Sequence, residues 1–242
     1  MASPTPSAPE VPPSSINPLL GVFTAPSAAM AELIRRPRFL LPLLLTTVIG
    51  ATVMTIAMQR GAIEHSLRQK FESNPRFEQM PPQQRAAVID RALKFSSYSI
   101  VGGAVVGPLV GLALTSGVLL LLSNVLLGAQ ARFKQMMGIV AHAWLPLCLH
   151  GLIAIPILLA KDPEAVDIQN VVPLSNLSPL FDVAQQPKAY AVATAIDLFS
   201  FWVMALLAIG LAQLTKKSMG TALAVILVPW ALYVVIFKAL LG

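Results

Sequence analysis

Long runs of apolar residues without a charge dominate the chain from residue 39 onward. The first run extends from Phe39 to Met58, and comparable runs recur until the last residues. A helix needs roughly 20 apolar residues to cross the hydrocarbon core of a bilayer, and only a helix satisfies its own backbone polar groups there. The pattern predicts an all-α, polytopic membrane protein with five transmembrane helices, at about residues 39–58, 98–127, 136–159, 191–213 and 218–241.

Three shorter segments show apolar residues on one helical face. Met30, Leu33 and Ile34 share a side of a segment that ends at Pro37, which predicts an interfacial amphipathic helix on the cytoplasmic leaflet. Two further segments between the first two spans repeat this spacing. We expect both to rest on the membrane or on the helical bundle. Their apolar positions are Ile63, Leu67 and Phe71, then Ala86, Ile89 and Leu93.

The chain divides into a short tail and one membrane domain. Residues 1–15 are rich in Pro and Ser, and such a segment buries too little apolar surface to become ordered. We therefore expect a disordered tail over residues 1–15 and a five-span membrane domain over residues 16–242.

Composition agrees with a membrane protein and excludes some other classes. Charged residues make up 12% of the chain, about half the usual share of roughly 25% in soluble domains. The net charge of +6 fits basic residues at cytoplasmic helix ends. No basic stripe with stacking aromatic residues is present, so we predict no nucleic-acid partner. The single cysteine, Cys148, excludes a disulfide within the chain.

The distribution of basic residues predicts an orientation. Arg132 and Lys134 follow the second span and Lys216 and Lys217 follow the fourth, without acids, whereas the loop after the third span holds four acids. The positive-inside rule then gives a cytoplasmic N-terminus and a C-terminus outside, and we expect a bacterial inner (cytoplasmic) membrane. The loop after the first span opposes this assignment, because it also holds seven basic residues.

Small residues recur every fourth position along the second predicted span. Such a face lets two helix backbones approach closely. Three interpretations remain open: packing within the molecule, homodimerisation, and a hinge beside Pro108. The residues of this small-residue stripe are Ser99, Gly103, Gly107, Gly111 and Thr115.

Few polar side chains fall inside the predicted spans. Asp197 is the only acid there, and such residues face protein or water; it is predicted either to contact an ion, proton or partner, or to be a buried structural carboxylate. His142 and His150 lie about 12 Å apart along one helix, too far to bind one metal ion. Asn124 is predicted to hydrogen-bond between helices.

Motifs of known catalytic chemistry are missing from the sequence. It contains no HExxH, P-loop or GxSxG pattern, which would mark metalloproteases, nucleotide-binding proteins and serine hydrolases respectively. We predict no enzyme activity, no catalytic residue, no metal site and no cofactor.

Several stretches resemble the YIP domain (Ypt-interacting protein) family. Residues 17–23 (NPLLGVF) are similar to the start of that domain, residues 132–138 and 144–146 to its central element, and residues 197–202 and 209–211 to its fourth span. The resemblance covers roughly residues 17–241. It implies five spans with a cytoplasmic N-terminus.

The resemblance also bears on function. Eukaryotic members are trafficking scaffolds that bind Rab-type GTPases and membrane-shaping partners. Their Asp-Leu-Tyr-Gly-Pro element is absent here, where Ile16 to Val22 stands near its place. The chain resembles the prokaryotic branch more closely, so GTPase binding is not carried over.

Two functions follow as expectations. The first is a non-enzymatic membrane adaptor or organiser of a membrane complex, in contact with lipids and with a protein partner in the membrane, which could be a second copy. The alternative is a small transporter or channel for an ion or small solute, with Asp197 and His142 on its pathway.

Overall fold

The fold consists of helices joined by mostly short connections. The computed structural model describes residues 17–72, 77, 79–168, 170–183 and 185–240, so the predicted tail over residues 1–15 lies outside the described residues. The helices are α1 (Pro18–Thr24), α2 (Pro26–Arg35), α3 (Leu40–Gln59), α4 (Ala62–Glu72), α5 (Pro82–Leu127), α6 (Phe133–Ala143), α7 (Leu145–Ala160), α8 (Pro187–Ala195), α9 (Leu198–Thr215) and α10 (Met219–Tyr233), and a π-helix follows (Val234–Leu240).

Five helical stretches within the described residues are long and apolar enough to cross a membrane. This confirms the predicted all-α fold with five transmembrane helices. The stretches are Leu40–Gln59, Val106–Leu127, Phe133–Ala160, Leu198–Thr215 and Met219–Leu240.

Helix α2 is amphipathic as predicted, but its apolar face contacts protein. Ala29, Met30 and Leu33 are completely buried where α2 packs against α6 and α9. Two glutamines hold it: Gln135 Nε2 donates to the Ile34 carbonyl at 3.0 Å, and Gln213 Nε2 donates to the Ser27 carbonyl at 2.8 Å. Helix α2 is therefore part of the core.

The second span is the C-terminal half of a much longer helix. Helix α5 has 46 residues and joins the predicted amphipathic segment around Ile89 to the span without a break. Pro82 stands in its first turn, where a missing N–H is tolerated. Gly128 ends it in the left-handed conformation (φ 64°), which glycine adopts without strain.

The third span bends where α6 meets α7. Trp144 separates the two helices, and Pro146 has no N–H to donate to the His142 carbonyl four residues earlier. The missing hydrogen bond accounts for the break inside an otherwise continuous span of 28 residues.

The two ends of the bundle carry different connections. The basic end carries α2 and the turns after α5 and α9, because Gln135 and Gln213 join these turns to α2. The opposite end carries the turn after α3 and the loop after α7, joined where Arg60 Nη2 donates to the Lys161 carbonyl at 3.1 Å. It is here called the acidic end after the four acids of the loop after α7, while the segment after α3 holds seven basic residues.

Candidate functional site

Asp197 caps α9 at the acidic end of the bundle. Its Oδ1 accepts a hydrogen bond from the Ser200 backbone N–H at 2.9 Å, and its Oδ2 accepts one from the Ser175 hydroxyl. The side chain is buried, with 9% of the residue exposed. Aspartate is a preferred N-cap, because its carboxylate satisfies a free N–H and faces the positive end of the helix dipole.

The sequence pattern predicts Asp197 inside a fourth span over residues 191–213, and this prediction is wrong. The fourth span begins at Leu198, immediately after Asp197. Helix α8 ends at Ala195, so the apolar run predicted as one helix over residues 191–213 is two helices. Apolar residues continue on both sides of Asp197, so the hydropathy pattern did not reveal the boundary between α8 and α9.

A network of polar side chains organises the loop before α8. Asn170 Nδ2 donates to the Ser178 hydroxyl at 2.6 Å and to the Tyr190 hydroxyl at 3.1 Å. Asn176 Nδ2 donates to Asn170 Oδ1 at 2.8 Å, and the Tyr190 hydroxyl donates to Asp167 Oδ2 at 3.0 Å. Asn170 and Ser178 are buried, so their hydrogen bonds stabilise a fixed loop conformation.

This network joins the cap of α9. Asn176 pairs with Asp197 through an isolated antiparallel backbone bridge, and the Leu177 N–H donates to the Ala193 carbonyl of α8 at 3.3 Å. None of these side chains is among the candidate residues predicted from the sequence. The closely spaced Asn, Ser and Pro residues were the available signal, since their side chains favour turns.

The other predicted polar residues form local hydrogen bonds. His142 is buried, and its Nδ1 bonds to the Gly138 carbonyl of the same helix at 2.9 Å. Asn124 bonds through both side-chain atoms to the backbone of Ala131, at 3.0 and 3.2 Å. It therefore fixes the connection between α5 and α6, and these two bonds reach no third helix.

The described residues show no group of metal-binding side chains. Among them, no three His, Cys, Asp or Glu residues come together in a way that could hold a metal ion. His150 packs its ring against Phe199, with the ring centroids 5.1 Å apart. It lies within electrostatic range of Asp197.

The small-residue stripe divides into two parts. A Cβ atom added to Gly103 or Gly107 would meet no atom within 4 Å, whereas one added to Gly111 would lie 3.4 Å from the Trp144 ring. Thr115 is partly buried and Ser99 is exposed. The stripe therefore packs within the molecule only at its C-terminal end.

Two residues from the open part of the stripe, Ser99 and Gly103, line an apolar groove between α3, α4 and α5. The groove has a volume of about 620 Å³. Gly50 lines it from α3, and a Cβ atom added there would again meet nothing within 4 Å. The other lining residues are Met54, Leu67, Ala92, Phe95, Ser96, Ala104 and Pro108.

The family model of the Yip1 domain matches residues 20–240. The chain belongs to the Yip1 domain family. The match runs from α1 to the end of the π-helix, so the Yip1 domain here includes α2, the organised loop and all five spans. The match confirms the resemblance seen in the sequence.

No curated protein and no solved structure matches significantly. This Yip1-domain protein is an integral membrane protein whose apolar helices contact lipid.

Proposed function

We propose that this protein is a non-enzymatic adaptor that organises a membrane complex by binding a transmembrane helix of a partner in the groove between α3, α4 and α5. The observation that carries the proposal is the uncovered glycine surface of this groove. Gly50 and Gly103, which line the groove, have open space where a side chain would be. A second copy of the chain is one form that the partner can take.

The groove differs from ordinary lipid-facing surface. Lipid-facing helices elsewhere in the protein expose large side chains, as Leu114 and Leu121 of α5 do. Glycines on two facing helices form a concave surface that admits another backbone, and close packing then stabilises helix association in lipid. Pro108 lines the same groove and leaves the Ala104 carbonyl without its helical N–H donor, so a partner can also supply a hydrogen bond there.

The polar residues support a role without catalysis. His142, Asn124 and Asp197 each form hydrogen bonds that stabilise a helix or a connection. A catalytic site needs a nucleophile or base with a free reactive atom facing the substrate. These three side chains instead form hydrogen bonds to nearby backbone groups.

The charge distribution supports the orientation predicted from the sequence. Arg35, Arg36 and Arg38 lie at the basic end with the two basic turns. This end is proposed to face the cytoplasm, where anionic lipids attract Lys and Arg. The N-terminus is then cytoplasmic and the C-terminus outside, in a bacterial inner membrane.

Photocrosslinking in native membranes tests the adaptor proposal. A photoreactive amino acid is placed at Phe95, which lines the groove and is 72% exposed. We expect a discrete crosslinked partner, lost when Gly103→Leu fills the groove. The matched control is Gly102→Leu, because Gly102 is also unobstructed but does not line the groove. Equal crosslinking in both variants, each folded normally, would refute the proposal.

The alternative is a small transporter or channel. It is favoured by His150, which lies inside the third span and within electrostatic range of the buried Asp197 carboxylate, since ionisable residues within spans accompany ion and proton pathways. Flux of ions or small solutes into liposomes, lost in Asp197→Asn, would support it. Absence of flux across a panel of ions and solutes would count against it.

A further inference from the structure

We propose that an anionic phospholipid binds in a second cleft, which opens sideways between α7, α8, α9, α10 and the π-helix. This cleft has a volume of about 390 Å³. It is separate from the groove of the proposed adaptor function, with which it shares no lining residue. Its mouth is polar and its interior is apolar, and a phospholipid has the same division between headgroup and acyl chain.

The mouth of the cleft is polar and lies at the acidic end of the bundle. Ser200 is in the first turn of α9, and Lys238 lies two residues before the end of the fifth span. Tyr233 adds a phenol to the same lining. Thr194 also lines the cleft, but its hydroxyl donates to the Ala191 carbonyl at 2.7 Å. We therefore assign the lipid headgroup to the part of the cleft lined by Lys238, Ser200 and Tyr233.

The interior of the cleft is apolar. Met204 lies one turn deeper than Ser200 along α9, and Val203 and Leu147 add further apolar side chains to the lining. Trp230 closes this part from α10, with its ring 5.4 Å from that of Phe201. A cleft with a polar mouth at the membrane surface and an apolar interior is complementary to a lipid, whose acyl chain would follow Leu147 and Met204.

The π-helix places Lys238 in this cleft. Hydrogen bonds in a π-helix join residues five apart, so residues 233 and 238 approach the same face, whereas neighbours in an α-helix are three and four apart. Tyr233 and Lys238 accordingly line one cleft. π-Helical segments are rare and frequently occur at functional sites.

The charge of Lys238 selects the headgroup. Lys238 is partly buried, and among the described residues no carboxylate lies within salt-bridge distance of it. A lysine near a helix end can extend to the membrane surface by itself, but here it lines the same cleft as Ser200 and Tyr233, each of which carries a hydroxyl group. A phosphate diester would accept hydrogen bonds from all three groups and neutralise the cation.

Native mass spectrometry tests this site. The full chain is reconstituted in nanodiscs of phosphatidylcholine containing phosphatidylglycerol, and the lipids that remain bound after release into mild detergent are identified. We expect bound phosphatidylglycerol on the wild type and a roughly fivefold loss in Lys238→Gln, because a lysine beside an anionic lipid has about this influence. Lys188→Gln is the control: Lys188 is an exposed lysine of α8 outside this cleft.

Two further results can overturn the assignment. Equal retention of phosphatidylglycerol by Lys238→Gln and Lys188→Gln would show that Lys238 does not bind it. Displacement of the lipid by excess inorganic phosphate would show a phosphate site in place of a lipid site. Leu147→Trp, which fills the apolar interior, is expected to reduce retention while leaving Lys238 unchanged; unaltered retention in this variant would also refute the lipid assignment.

Discussion

Gly210 of α9 lies directly against Ile139 of α6. A Cβ atom added to Gly210 would stand 2.5 Å from Ile139 Cγ2 and 3.3 Å from the sulfur of Met30. Three helices therefore meet at a single position without a side chain, and α2 reaches the centre of the bundle because Gly210 leaves room for Met30.

Gly210→Ala should destabilise the protein. The added methyl group collides with a β-branched side chain, which has few alternative rotamers, and overpacking of this kind costs about 1–3 kcal/mol. The melting temperature in detergent should fall. Gly117→Ala is the control, since nothing lies within 4 Å of its added Cβ, and it should be neutral or stabilising by about 0.5–1 kcal/mol. Equal melting temperatures would contradict the close contact.

Asp197→Ala should destabilise the acidic end of the bundle. The substitution removes the cap of α9 and the acceptor of the Ser175 hydroxyl, and loss of an N-cap alone costs about 1–2 kcal/mol. Asp197→Asn keeps a capping oxygen and should retain most of the stability. Thermal unfolding of both variants checks this, and an Asn variant as unstable as the Ala variant would show that the negative charge itself is required.

Ser116→Ala should leave stability unchanged or raise it by about 1 kcal/mol. Ser116 is completely buried, and within the described residues its hydroxyl has no hydrogen-bond partner, a situation that is unfavourable by about 1–3 kcal/mol. Ser123→Ala offers the comparison, because the Ser123 hydroxyl already donates to the Leu119 carbonyl and its removal should bring no gain. A lower melting temperature for Ser116→Ala would reveal a partner for this hydroxyl.

The double variant Gln135→Ala and Gln213→Ala should loosen α2. Both glutamines donate to carbonyls of α2. Two hydrogen bonds of about 0.5–1.5 kcal/mol each correspond to a roughly 5- to 150-fold increase in local opening. Hydrogen exchange of the amides in residues 26–35 measures this directly. The exposed Gln59 at the end of α3 provides a control substitution to Ala. Unchanged exchange in the double variant would mean that apolar burial alone holds α2.

The five spans were predictable because the hydrocarbon core of the bilayer requires a long run of apolar side chains in each spanning helix. The first span was placed at residues 39–58 and lies at Leu40–Gln59. The boundary at Asp197 was missed for a different reason. A helix cap depends on a single side chain. Because the residues on both sides of Asp197 are apolar, the pattern shows one continuous run and does not mark the cap.

The candidate sites were less predictable, because packing partners are a property of tertiary structure. Regular spacing identified the stripe that contains Gly103 and Gly107, but it could not show that their neighbours would leave them open. The glycines with the closest contacts, Gly151 beside Ile49 and Gly210 beside Ile139, belong to no such repeat. Only the folded arrangement distinguishes them from other glycines.

The docking of α2 determines an order of assembly. Ser27 and Gln213, which join α2 to α9, are 186 residues apart in sequence, and a chain made from its N-terminus therefore produces α2 long before its binding surface exists. Until the third and fourth spans have been inserted, neither helix that covers Met30 and Leu33 is present, and the lipid surface offers their apolar face an apolar environment. We therefore expect α2 to lie on the membrane surface in the nascent protein, as the sequence predicts, and to be buried in the folded protein.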